Sequence, residues 1–284
     1  MEQNQGIKQK RRLKRRMQRA ARRVLPFVAS LFLVAPIASP ISKSMAGSVS
    51  AKARPADVPA TPQTPTRAFL FNQRLRSLYT ALGAEQQGLR FEVFEKAMTG
   101  YLNLQQQGQL SPEKQLLTVI DFDLPSTEKR LWVLDLANQQ VLFHTLVAHG
   151  HNSGENEAAM FSNAHESNMS SLGFYVTQTE YLGKHGRSLK LQGLDEGYNT
   201  NADARSVVMH GAEYVSEEFI RQNGRLGRSL GCPALPMDQY SQIIDTVMGG
   251  TCLFISKSDI GYESAFLNQN VAMAALVPDA SPAS

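Results

Sequence analysis

The sequence predicts an α+β fold, mainly β, in which a small helical segment precedes a sheet. Apolar residues recur at helical spacing over 67–104. From 116 onward they come instead in short runs rich in β-branched and aromatic residues, set apart by turn signals. The last run, Thr251-Cys252-Leu253-Phe254-Ile255, follows Gly249-Gly250 and closes the pattern as a buried strand. A chain of 284 residues can bury one good core, so one main domain with appendages is expected.

Residues 1–46 read as a secretory signal peptide. Ten Lys and Arg residues between Lys8 and Arg23 are followed by the apolar run Val24 to Ala35 and by small residues ending in Ser44-Met45-Ala46. That run is short for a membrane span, so none is expected after processing; the alternative is an uncleaved inner-membrane anchor. The formal net charge of +4 comes from this head, and the rest is mildly acidic. With no basic stripe interleaved with aromatics, nucleic acid is not an expected partner.

Residues 47–66 form an Ala/Pro/Ser/Thr-rich linker. The helical segment, 67–110, holds one helix over 67–82 that stops at Gly83 and another over 91–104; their apolar stripes are expected to pack on the following domain. Residues 111–257 are that domain, with strands over 116–122, 130–136, 140–149, 173–179 and 188–192, and a polar loop over 150–171. Ser206-Val207-Val208-Met209 is a buried strand carrying His210 to its end; helices over 214–222 and 237–248 and the strand over 251–256 follow. Residues 258–284 are expected to be a weakly ordered tail, apart from a short helix near Phe266.

Chemistry concentrates in Gly224 to Leu235, where Cys232 stands in a glycine-rich loop behind Arg225 and Arg228, between Gly231 and Pro233. Such a loop exposes its thiol, and a nearby imidazole, arginine charge and loop N–H groups are expected to favour the thiolate. Cys232 is therefore the expected nucleophile and His210 its general base, with N–H groups around Gly231 and Cys232 holding the oxyanion. The competing reading is a Cys232–Cys252 disulfide, although Cys252 reads as an inert core residue. Arg225 and Arg228 either hold a substrate carboxylate or brace the loop against backbone carbonyls. Ser229 either orients His210 or closes the turn, and His149 and His185 line the cleft or are structural. The six histidines include no His-Glu-x-x-His, so neither metal nor other cofactor is expected.

His210-Gly211 and Gly227-Arg228-Ser229-Leu230-Gly231-Cys232-Pro233 resemble the signature of the YkuD-type L,D-transpeptidase catalytic-domain family. Thr118 to Phe122, Leu146 to Gly150, Asn152 to Glu155, Ser170 to Tyr175, Lys184 to Gly186 and Gly249 to Ile255 extend the resemblance over roughly residues 69–256. Leu230 and Ala234 stand where that signature has a histidine and an arginine or asparagine. The resemblance implies an L,D-transpeptidase-type β-sandwich in a bacterial periplasm, with peptidoglycan stem peptides as partner. Cys232 would form a thioester with a tetrapeptide stem, releasing its terminal D-alanine, and pass the acyl group to an amine. Substrate contacts would fall to Arg228, Arg225, Ser229, His149 and His185. The same site with water as acceptor would be an L,D-carboxypeptidase or endopeptidase, and a non-catalytic wall-binding protein is the alternative from another class. A monomer is expected.

Overall fold

Two faces of one sheet, each covered differently, determine where the reactive loop sits. The computed structural model describes residues 65–184, 186–258 and 261–277. The expected signal peptide, nearly all of the linker, and His185 lie outside these residues. Helix α1 (Arg67–Ala81) starts where the Thr66 hydroxyl accepts the Phe69 N–H, and it buries Phe71, Leu75 and Tyr79 at four-residue intervals. Gly83, at φ +65, turns the chain after it.

Helix α2 (Phe91–Gln106) is anchored at its start by Arg90, whose forked side chain donates to both carboxylate oxygens of Asp121 at 2.9 Å. Mid-helix Gly100 has a packing reason: a Cβ there would overlap the Phe174 ring, so only glycine lets α2 approach the sheet this closely. The Trp132 indole N–H also ties the α1–α2 turn to the sheet through the Gln87 carbonyl, at 2.9 Å.

The strands are β1 (Leu116–Asp121), β2 (Leu131–Asp135), β3 (Gln140–Thr145), β4 (Gly173–Gly183), β5 (Gly186–Gly193), β6 (Val208–Gly211), β7 (Ala234–Leu235) and β8 (Cys252–Ser256). They lie in the order β3-β2-β1-β8-β4-β5-β6-β7, with β1–β8 and β6–β7 parallel and the other pairs antiparallel. β1 and β8 are buried along their whole length, so alternate residues enter two cores. Leu117, Val119, Cys252 and Phe254 join the helical core; Ile120, Leu253 and Ile255 join Tyr175, Leu189, Met209 and helix α4 (Tyr240–Val247) on the other face. The sheet closes on itself, because Ala148, just beyond β3, bridges Ala234 of β7. The expected α+β arrangement is present, its two layers formed from one curled eight-stranded sheet.

Three elements differ from expectation. β4 and β5 run on into a long hairpin whose outer half is exposed, with Leu182 85% exposed, so no apolar alternation marks it in the sequence. β7 is only two residues long and lies within the stretch expected to be loop. The tail over 261–277 is ordered: helix α5 (Gln269–Leu276) packs on α1 and α2 with Ala272 fully buried. Its anchors are remote in sequence. Tyr262 and Ser264 donate to buried Asp195, and the Asn103 amide donates to the Phe266 and Asn268 carbonyls. Helix α3 (Glu217–Asn223), capped by Ser216, completes the set. Among the described residues, no helix is long and apolar enough to cross a membrane.

Candidate active site

β6 delivers His210 between two strands: Ser188 of β5 lies opposite it on one side and Ala234 of β7 on the other. The imidazole is buried, with Nδ1 2.9 Å from the Gly211 carbonyl oxygen. A carbonyl only accepts, so Nδ1 carries a hydrogen, and in the neutral ring Nε2 would be the proton acceptor. Gly211 must be small, since a Cβ there would come within 2.7 Å of the Tyr240 ring and 2.9 Å of the Met237 sulfur.

The loop that carries Cys232 is held at successive points after α3. Leu226 N–H donates to the Ser126 hydroxyl, Gly227 N–H to the Tyr214 carbonyl, and Ser229 N–H to the His149 carbonyl. Ser229 Oγ then closes the turn, donating to the Cys232 carbonyl at 2.6 Å and accepting the Gly231 N–H at 3.0 Å. Gly231 takes φ +125, and a Cβ there would stand 2.7 Å from the Met169 carbonyl oxygen. Past Pro233, whose carbonyl accepts the His210 N–H, the chain enters β7. The Cys232 sulfur thereby rests on the start of β6, 3.4 Å from the Val208 nitrogen and 3.7 Å from the Ser206 carbonyl oxygen. His210 is two residues beyond Val208 on that strand.

Both cysteines are free thiols, so the disulfide alternative is not realised. Cys252 is fully buried beside Tyr101, and burial pushes its thiol far up; Cys232 is only partly covered. Burial also raises the Cys232 thiol, against the pull of the Val208 N–H, Arg205 and Lys184. The expected resting thiolate is therefore not favoured: desolvation outweighs the stabilising groups, and the loop arginines point elsewhere. The Gly231 N–H, expected to hold an oxyanion, is spent on Ser229. Among the described residues, the Cys232 N–H has no protein acceptor.

The other candidates are brought close but given bracing contacts. Arg228 donates to the carbonyls of His151 and Gly154 at 3.2 and 2.9 Å and pairs with Glu155. Arg225 pairs with the same Glu155 and donates to the Leu226 carbonyl. Both guanidinia thus make the contacts expected of the bracing role. Ser229 closes the turn, while the Gly211 carbonyl orients His210. His149 is wholly buried; it accepts at Nδ1 from Arg130 and faces the Gly154 carbonyl with Nε2. Burial and the Arg130 charge lower its pKa to about 4, so it is neutral near pH 7 and held in structural contacts. Gly227-Arg228-Ser229-Leu230-Gly231 also has the spacing of a serine-hydrolase elbow. Ser229 is not placed as one, because its hydroxyl is enclosed in the turn.

Arg205, Ser206 and the Val208 N–H border the thiol without any signal in the sequence beyond their place upstream of the histidine strand. Tyr214 is similarly close, its phenol pushed up to about 12 by burial and by Cys232. Leu230, in the place of the signature histidine, is 63% exposed at the loop's outer edge, and Ala234 is buried between β6 and residue 148.

A family model described as L,D-transpeptidase catalytic domain matches residues 85–256, which take in α2, the whole sheet, His210 and Cys232. No curated protein sequence matches the chain. Among solved structures, an L,D-transpeptidase from Mycobacterium smegmatis is 14% identical, with 51% of this chain and 59% of that one covered at a TM-score of 0.32. The helical cell shape determining protein Pgp2 (K307A mutant) from Campylobacter jejuni is 13% identical over 64% of this chain and 61% of that one, at 0.37. An L,D-transpeptidase from Stackebrandtia nassauensis is 15% identical over 54% and 60%, at 0.30. The chain thus spans less than two thirds of each of these structures. On the family match over most of its length, the chain belongs to the L,D-transpeptidase catalytic domain family.

Proposed function

We propose that this protein is an exported cysteine acyl-transferase acting on peptidoglycan stem peptides, with Cys232 as nucleophile and His210 as its acid and base. The observation that carries the reading is the free Cys232 thiol held against the start of β6, with His210 on the same strand and its Nδ1 directed at the Gly211 carbonyl. Because burial keeps Cys232 protonated at rest, its proton passes to His210 Nε2 as the sulfur attacks the carbonyl carbon. The unpaired Cys232 N–H supports the oxyanion. Collapse breaks the amide bond to the terminal D-alanine, whose amine leaves with the proton from His210, and a thioester remains. An acceptor amine then attacks, giving its proton to His210, and the regenerated thiolate takes that proton back.

Incubation of the mature protein with defined tetrapeptide muropeptides, read by mass, tests this. Cross-linked dimers with release of D-alanine are expected. Shortened stems without cross-links would make water the acceptor and the enzyme a carboxypeptidase, and unchanged muropeptides would contradict the proposal. Export rests on the basic, apolar and small-residue head. A reporter fused at Ala60 is expected to be active only outside the cytoplasm; activity confined to the cytoplasm would contradict it.

A further inference from the structure

Three charged or titratable side chains stand around the Cys232 thiol: Lys184 from the β4–β5 hairpin, Arg205 from the loop before β6 and Tyr214 just after β6; His210 lies two residues beyond Val208, whose N–H meets the sulfur. Tyr175 faces Arg205 from β4. We propose that Arg205 is a positioning residue for Cys232, its guanidinium strapping the 162–171 loop beneath the Gly231-Cys232 turn and holding a positive charge behind that turn. This rests on the reading of Cys232 as nucleophile.

The geometry is specific. Nη1 donates to the Ser162 carbonyl at 2.8 Å and to the Ser171 hydroxyl; Nη2 donates to the Ser167 hydroxyl at 3.1 Å and the Met169 carbonyl at 2.7 Å. The same Nη2 is 3.2 Å from where a Cβ on Gly231 would stand, so the guanidinium lies directly behind the residue preceding the nucleophile. The next residue, Ser206, is a non-glycine at φ +54 and turns its carbonyl toward the Cys232 sulfur, and the Val208 N–H follows. A backbone held in that region beside a reacting atom is strain kept in place by its surroundings, here by the Arg205 contacts.

Charge separates Arg205 from its neighbours in the loop. Arg225 and Arg228 share the carboxylate of Glu155, whereas the four acceptors of Arg205 are neutral oxygens, so its positive charge is not cancelled on the spot. Arg205 is also among the groups that draw the Cys232 thiol downward against burial.

The test is the pH dependence of Cys232 alkylation by iodoacetamide in the full protein, located by peptide mass, for wild type, Arg205→Gln and Arg205→Lys, with folding checked by near-ultraviolet circular dichroism. It needs no peptidoglycan, so its failure and that of the acyl-transfer proposal are distinguishable. Arg205→Gln is expected to raise the midpoint by about one unit, slowing alkylation below the midpoint about tenfold, while Arg205→Lys stays within a few tenths of wild type. A folded Arg205→Gln protein with the wild-type midpoint would overturn the proposal. Should Arg205→Gln not fold, Arg205→Lys decides: a near-wild-type midpoint supports the role of the charge, and a shift of about one unit overturns it.

Discussion

Arg228 and Glu155 form an ion pair at the edge of the nucleophile loop, yet the two partners contribute differently. The Glu155 side chain is largely exposed and its half of the pair is screened by water, whereas Arg228 is nearly covered and also satisfies two backbone carbonyls. Arg228→Ala is therefore expected to cost about 1–3 kcal/mol, seen as a lower Tm, with kcat/KM per folded molecule changed little. Glu155→Gln should leave Tm nearly unchanged. A tenfold loss of kcat/KM at unchanged Tm for Arg228→Ala would return it to substrate binding. His149 gives a pH signature. Its pKa, near 6.5 unfolded, falls to about 4 in the fold, so the folded state binds fewer protons between these values. Its contribution, about 3 kcal/mol, is complete above pH 6.5 and is lost as pH falls through 4. Chemical denaturation at pH 7 and pH 4 should show this loss, and His149→Gln, which keeps an acceptor for Arg130, should remove most of it. The loop position of Cys232 and the strand-end position of His210 were legible in the sequence because glycine, proline and strand signals surround them. Arg205 was not, since a lone arginine in a polar turn carries no pattern, and the bracing of Arg225 and Arg228 depends on Glu155, seventy residues away in the chain.

At the scale of elements, the strands buried on both faces were legible as continuous apolar runs and both N-terminal helices by their helical spacing. β7 was not, being two residues whose partners, His210 and Ala148, come from elsewhere. The tail escaped for the same reason: α5 is short, and its anchors Asp195 and Asn103 are distant. Deletion from Gly261 onward should uncover apolar surface on α1 and α2 and take two donors from buried Asp195. A Tm lowered by several degrees, with new binding of a hydrophobic dye, is expected; an unchanged Tm would contradict the packing described. Gly100→Ala tests the contact between α2 and the sheet. Helix propensity alone favours alanine by about 1 kcal/mol, but the overlap with the Phe174 ring is expected to reverse the sign, with a net cost of about 1–3 kcal/mol in denaturant unfolding.

For the molecule as a whole, the two cores have separate tasks. The helical core holds one face of the sheet and extends beyond the family match at both ends, through α1 and α5, while the other face and the closure at Ala148 and Ala234 hold the loop that carries Cys232. The central claim is that acyl transfer passes through a thioester on Cys232. Its most direct measurement is intact-protein and peptide mass after rapid quenching with a tetrapeptide donor, on wild type, Cys232→Ala, Cys252→Ala and His210→Ala. An acyl adduct on the Cys232 peptide is predicted for wild type and Cys252→Ala, none for Cys232→Ala, and formation at least about a hundredfold slower for His210→Ala. Turnover by wild type without that adduct, or an adduct that persists in Cys232→Ala, would contradict the account.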